Sequence, residues 1–357
     1  MRTIHRKRRV SIAALAITAS MMLAACGSLE DEGVDPAAPD VDTEEPAPSE
    51  TADGDGATIV TVPKLTGISW WNRGEEGVVQ YAEDTGTDAY MQGSGQADAN
   101  AQVRVIQDLL ASNVDALAVV PFQPDAVEQV LRQAMEDGVA VITHEAPDIT
   151  NAHWDIEAFR NEDYGRHLMD ELASRMGEEG QYALMVGSLS SATHMAWVEA
   201  AIEHQEENYP DMERVGDIIE TLDDSQVAYE RMQELLSAYP EIGGVQGSAS
   251  TDVVGVGQAI DEAGLSDRIV AVGTSTPNDS RAGLENGSID AVTFWDPADV
   301  TYAMNVVAQL IIDGEEITDG MSLGVPGYET ISLEGNVIYG DEAWITVTVD
   351  NVDDYDF

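Results

Sequence analysis

The feature that most restricts this chain is a rhythm. From Thr58 onward, short apolar runs alternate with amphipathic stretches, and the series is played twice. Short apolar runs bounded by turn formers read as buried strands; apolar residues every three or four positions read as helices. In the first series strands are expected at 58–62, 88–91, 116–120, 139–143 and 153–156, with helices over 75–85, 99–112, 124–137 and 162–176. In the second they fall at 182–186, 215–220, 244–246, 269–272 and 289–294, with helices over 194–207, 225–238, 253–263 and 278–286. Strands and helices in alternation build parallel sheets with crossover helices. Two such series joined end to end predict an α/β protein of two doubly wound lobes, and 357 residues with 43% hydrophobic content suffice to bury two cores.

The residues ahead of this alternation are of another kind. A basic run, Arg6-Lys7-Arg8-Arg9, precedes an apolar stretch from Val10 to Met22 and then Leu23-Ala24-Ala25-Cys26-Gly27. Residues 1–25 read as a signal peptide, since the apolar stretch is too short to stay in a bilayer as a spanning helix. The leucine, two small residues and cysteine resemble the bacterial lipobox, which implies cleavage before Cys26 and lipid on its thiol. Cys26 is the only cysteine, so no intramolecular disulfide can form. The alternative is an incidental cysteine in an ordinary signal peptide. Residues 26–57 are rich in Asp, Glu, Pro, Ala and Thr, and are expected to form a disordered acidic tether.

The formal charge is -51, and loss of the five basic leader residues leaves about -56. Such a field repels nucleic acid and anionic headgroups, so neither is an expected partner. An acidic, lysine-poor surface suits a salt-adapted cell, where ions screen the self-repulsion; an ordinarily acidic bacterial protein is the alternative.

Open α/β sheets bind ligands beyond the carboxyl ends of their strands, where loops and helix N-termini converge. In the first series those loops carry Lys64, Trp70, Trp71 and Asn72; Gln96 and Asp98; Phe122 and Gln123; and His144 with Glu145. In the second they carry Thr193 and His194; Asp223 and Asp224; Ser248 and Ser250; Thr274 and Ser275; and Asp296. Hydroxyls, amides, carboxylates, one ammonium and two indoles make a set suited to a polyol: hydrogen bonds to its hydroxyls and stacking on its C–H face. Lys64 is the only lysine beyond the leader, where ten arginines remain. A lysine kept at a strand end points to a compact charge on a flexible stem, a role arginine fills poorly. Other positions read two ways. Trp70-Trp71 forms a stacking wall or caps a core; Asp296 before Pro297, and Asp223-Asp224-Ser225, are helix caps or ligand contacts. His194 donates to a ligand or packs, and Glu145 at a buried strand end needs something to bond it.

Catalytic and metal motifs are broken or missing. His144-Glu145-Ala146-Pro147-Asp148 lacks the second histidine of a zinc helix, Gly93-Ser94-Gly95-Gln96-Ala97-Asp98 lacks the last glycine of a dinucleotide loop, and no P-loop or nucleophile elbow occurs. No cofactor, metal or enzymatic activity is expected.

Val62-Pro63-Lys64-Leu65-Thr66-Gly67, Gly273-Thr274-Ser275-Thr276-Pro277-Asn278, Trp295-Asp296-Pro297 and the terminal Asn351-Val352-Asp353-Asp354-Tyr355-Asp356-Phe357 resemble type I periplasmic binding proteins. The nearest groups are the autoinducer-2 and rhamnose binding proteins of ABC importers. The resemblance implies two Rossmann-like lobes, 58–158 plus 297–335 and 159–296 plus 336–357, joined by a three-strand hinge that crosses near Phe159, near Trp295-Asp296 and between Asn336 and Trp344. The pocket lysine of the family falls on Lys64. The autoinducer-2 pattern otherwise departs: its first-lobe aspartate falls on Glu145, its Asp-Gln pair on Thr193-His194 and its Pro-x-Ala segment on Ser248-Ala249-Ser250. The implied protein is a lipid-anchored, monomeric, extracytoplasmic solute-binding protein serving an ABC permease and ATPase. Its expected ligand is a small neutral sugar or polyol, held by Lys64, Trp70, Trp71, Asn72, Gln96, Gln123, Glu145, Thr193, His194, Ser248, Ser250 and Asp296. A receptor feeding a membrane sensor is the alternative, and a carbohydrate-acting enzyme pairing Glu145 with Asp296 is a more distant one.

Overall fold

The computed structural model describes residues 56–340 and 344–357. The expected signal peptide, Cys26 and nearly all of the expected tether lie outside them. The chain opens with β1 (Thr58–Val62), α1 (Ser69–Thr85), β2 (Asp88–Met91), α2 (Ala99–Ala111), β3 (Ala116–Val119), α3 (Pro124–Glu136), β4 (Ala140–His144) and β5 (Trp154–Glu157). There follow α4 (Asn161–Met176), β6 (Glu179–Val186), α5 (Ala192–Asn208), β7 (Asp211–Arg214), β8 (Ile219–Glu220), α6 (Ser225–Ala238), β9 (Ile242–Gly247), α7 (Asp252–Ala263), β10 (Val270–Thr274), α8 (Pro277–Asn286) and β11 (Ala291–Phe294). Last come α9 (Pro297–Asp313), β12 (Ser332–Glu334), β13 (Val337–Tyr339) and β14 (Ile345–Val347).

Two sheets result, ordered β12-β13-β5-β4-β3-β1-β2 and β14-β11-β10-β9-β6-β7, with β8 beside β6. Their interiors are parallel, and among the described residues antiparallel pairs occur only where β12 meets β13 and β14 meets β11. Period-two alternation feeds both faces of the first sheet: Val60 and Val62 pack with Ile106, Leu117 and Val127, while Ile59 faces the core that holds Trp71 and Val78.

The chain leaves the first sheet after β5 and returns after β11, where α9 packs on α1, β3 and β4. It crosses again between β13 and β14. β13 pairs with β5, so residues 337–339 belong to the first sheet, whereas the expected division placed everything from 336 in the second lobe. An aromatic residue stands at each crossing: Phe159 meets Trp295 at 5.1 Å and Trp344 at 5.3 Å between ring centroids.

Two element boundaries differ from expectation for physical reasons. The strand expected over 215–220 is split into β7 and β8, because Gly216 takes a left-handed turn at φ 69° between them. Helix α1 begins at Ser69 rather than Glu75, with Ile68 at its N-cap and no side-chain cap hydrogen bond. Trp70 and Trp71 are therefore helical and buried, not loop residues.

Candidate functional site

The carboxyl ends of the two sheets face each other across a cavity lined by Lys64, Ile68, Trp70, Trp71, Glu145, His194, Trp197, Asp223, Ser248, Ser250, Thr274 and Trp295. Lys64 follows β1 and Glu145 follows β4; His194 lies in the first turn of α5, Asp223 just ahead of α6, Ser248 and Ser250 after β9, Thr274 at the end of β10 and Trp295 after β11. The backbone at three of these turns is locally committed. Ser191 caps α5 by accepting from His194 N, and Asp224 caps α6 by accepting from Gln226 N and Val227 N. Asp252, in the first turn of α7, accepts hydrogen bonds from Thr221 Oγ1 at 2.6 Å, Ser248 N at 3.1 Å and Ala249 N at 2.9 Å, tying two cavity loops together.

At the floor, Lys64 and Glu145 form a salt bridge with side chains only 5% and 4% exposed. Burial would drive the Glu145 carboxyl up, but Lys64, helped by the imidazoles, outweighs it and brings the group down to about 2. Burial likewise opposes the Lys64 charge, and Glu145 first, then Asp223, hold it above the ordinary lysine value. Both imidazoles are held neutral at physiological pH. Burial, then Lys64, brings His194 down to about 3, and burial lowers His144 as well. Lys64 is therefore the cation that balances Glu145 in neutral solution.

The neutral tautomers are fixed by backbone. Gly187 N donates to His194 Nδ1 at 3.2 Å, leaving the His194 proton on Nε2, 3.8 Å from Glu145 Oε2. His144 Nδ1 donates to Ile156 O at 2.6 Å, and its Nε2 lies 3.7 Å from Glu145 Oε1 with no hydrogen-bond partner among the described residues.

Indoles wall the cavity. Trp70 meets Trp295 edge-on at 4.7 Å, and Trp295 meets Trp197 at 5.8 Å. Several polar atoms find no hydrogen-bond partner among the described residues, including Ser248 Oγ and Trp295 Nε1. Buried donors and acceptors left open around one cavity are a signature of a bound polar molecule. Glu145 and Asp223 also hold left-handed backbone, at φ 58° and 51°, a conformation that costs a non-glycine residue energy and concentrates at ligand sites. The free space is about 20 Å³, room for about one water.

Of the expected ligand residues, the fold brings Lys64, Trp70, Trp71, Glu145, His194, Ser248 and Ser250 to this cavity. The others stand apart. Asn72 lies on the exposed side of α1, and Gln96 is exposed. Gln123 occupies the N-cap position of α3 without a side-chain cap bond. Thr193 is buried in α5 outside the lining, its Oγ1 without a partner among the described residues. The Asp296 carboxylate is taken by Arg73, at 2.9 and 2.6 Å, and by Ala298 N at 2.9 Å. Asp296 is therefore not available as the carboxylate that the glycosidase alternative paired with Glu145. Trp197, Trp295 and Ile68 were not expected. Trp197 sits one helical turn beyond His194, and that spacing alone could have nominated it.

The fold and cavity define a two-lobed binding protein whose candidate site lies between facing strand ends. Residues 59–316 match the family described as periplasmic binding protein domain, and the chain belongs to that family. Over 258 residues, covering 70% of each chain, it is 25% identical to the xylitol-binding protein of Mycolicibacterium smegmatis. It is 29% identical to the D-xylose-binding periplasmic protein of Haemophilus influenzae over 119 residues, a match spanning 33% of this chain and only 35% of that protein. Among solved structures it superimposes on LsrB from Clostridium saccharobutylicum in complex with AI-2 with a TM-score of 0.78 at 21% identity, covering 84% of this chain and 100% of that one. The type I periplasmic binding protein fold expected from the resemblance is the fold present.

Proposed function

We propose that this chain captures a small neutral sugar or polyol between its lobes and delivers it to an ABC-type importer. The observation that carries this reading is the buried cavity at facing strand ends, where a compensated ion pair and unpartnered polar atoms lie inside a wall of four tryptophans. Lys64 and Glu145 offer charged hydrogen bonds from one sheet; His194 Nε2–H, Ser248 and Ser250 answer from the other. Indole faces bury the C–H surface of a sugar, and the polar atoms count its hydroxyls. A solute that bonds both sides at once favours the closed state, and the three crossings supply a hinge. The names of the xylitol- and xylose-binding relatives support the ligand class. The substituted autoinducer-2 positions favour a different ligand from the one held by LsrB.

Four of the six tryptophans line the cavity, so binding should alter intrinsic fluorescence. Titration with neutral pentoses, hexoses, deoxysugars and pentitols is expected to give a saturable change for at least one of them. Silence across that set would remove the reading. No helix among the described residues is long and apolar enough to cross a membrane, and the lipobox-like run ending in Cys26 supports a lipid anchor on an extracytoplasmic protein. Cys26→Ser should then shift the protein from the detergent phase to the aqueous phase of lysed cells; unchanged partition would count against the anchor.

A further inference from the structure

The cavity holds a second carboxylate that nothing in the fold accounts for. Asp223 is 8% exposed, yet no described residue donates a hydrogen bond to its side chain. Its neighbour Asp224 performs the helix cap, through Gln226 N and Val227 N, so Asp223 is not needed there. Two consecutive residues, Leu222 at φ 60° and Asp223 at φ 51°, hold left-handed backbone to present it. Opposite, Gly187 has no side chain to obstruct it: a Cβ there would lie 2.4 Å from Asp223 Oδ1. Thr221, fixed by Asp252, anchors the turn from behind. A buried acid on strained backbone, with space kept for it and no hydrogen-bond partner among the described residues, is maintained against its own cost.

The charge inventory narrows what that acid meets. Lys64 is committed to Glu145, and His194 and His144 are neutral, so Asp223 is an acid in excess. A ligand carboxylate or phosphate would bring a further negative charge against two carboxylates and one ammonium. Resting on the binding function proposed above, we infer that Asp223 is the specificity-determining residue of the cavity: it accepts hydrogen bonds from two neighbouring hydroxyls of an uncharged polyol and turns acidic sugars away. Two hydroxyl donors satisfy the two carboxylate oxygens without adding charge, and hydrogen bonds to an ionised group are the strong ones.

The test compares wild type with Asp223→Asn, titrating xylitol, D-xylose and D-xylonate by calorimetry and melting each protein without ligand. Wild type should bind a neutral member and ignore xylonate. The asparagine variant should bind that neutral member about tenfold to a hundredfold more weakly, the loss expected for hydrogen bonds to a charged group, and should narrow the gap to xylonate. Its ligand-free melting temperature should stay level or rise, because a buried unpaired acid has been neutralised. A residue serving structure alone would lower the melting temperature instead. Equal affinity of both proteins for the neutral member, or xylonate binding to wild type as tightly as xylose, overturns the role of Asp223 while leaving the binding function in place. If wild type binds neither xylitol nor D-xylose nor any neutral sugar of the fluorescence set, the binding function falls and the inference falls with it.

Discussion

Lys64 and Glu145 form a buried ion pair that the proposed binding function also draws on. Taking either charge out of water is costly, and the pair survives because each compensates the other. Removing one partner strands the other: Lys64→Ala should cost about 3–5 kcal/mol of stability, measurable by chemical denaturation. Replacing both, as in Lys64→Met with Glu145→Leu, should recover most of that loss while leaving ligand binding abolished. If the double variant binds sugar normally, the pair is scaffold only. Lys64 was legible because it is the only lysine after Lys7, and Glu145 because a strand end leaves a carboxylate needing a partner. Asp223 was harder to read: one of two adjacent aspartates had to be the helix cap, and only the backbone shows that Asp224 takes that part. Asp296 caps α9, one of the two readings its place before Pro297 offered, whereas its bond to Arg73 spans 223 positions and leaves no local trace.

At the scale of elements, the repeat of strand and helix specified the architecture, and most strands and helices lie within a few residues of where periodicity puts them. What periodicity could not place was the start of α1, which lacks a capping side chain, and therefore the burial of Trp70 and Trp71. Helix contacts also depend on features that only pairing reveals. Gly77 in α1 meets α9 so closely that a Cβ would lie 2.0 Å from Ala298 O, and Thr301 Oγ1 donates to Gly74 O at 2.6 Å at the same crossing. Gly77→Ala must push these helices apart and should destabilise by about 1–3 kcal/mol, read as a lowered denaturation midpoint. An unchanged midpoint would mean that this crossing is looser than the structure has it.

For the whole molecule, buried titratable groups set the pH response. Burial raises Asp155 and Asp252 each to about 7 and raises Glu157 and Asp223. Asp155 and Asp252 keep protons in the folded state that the unfolded chain has released, so stability climbs as pH falls from about 7 toward the ordinary carboxylate range. His144 and His194, depressed by burial, work the other way below their ordinary 6.5, but they are fewer. Glu145, ordinarily 4.5 and here about 2, contributes fully above 4.5 and is lost as pH falls from there to about 2. The melting temperature should therefore peak on the acid side of neutrality, being higher at about pH 5 than at about pH 8; a steady rise toward alkaline pH would contradict these assignments. The central claim, capture of a neutral sugar or polyol between the lobes, is most directly tested by a thermal-shift screen of neutral and acidic sugars, with autoinducer-2 included. A neutral ligand at about a hundred times its dissociation constant should stabilise the protein by about 2.7 kcal/mol, a shift of several degrees. Stabilisation by a neutral sugar or pentitol, and not by acidic sugars, is the predicted result; stabilisation only by autoinducer-2, or by none of them, would contradict it.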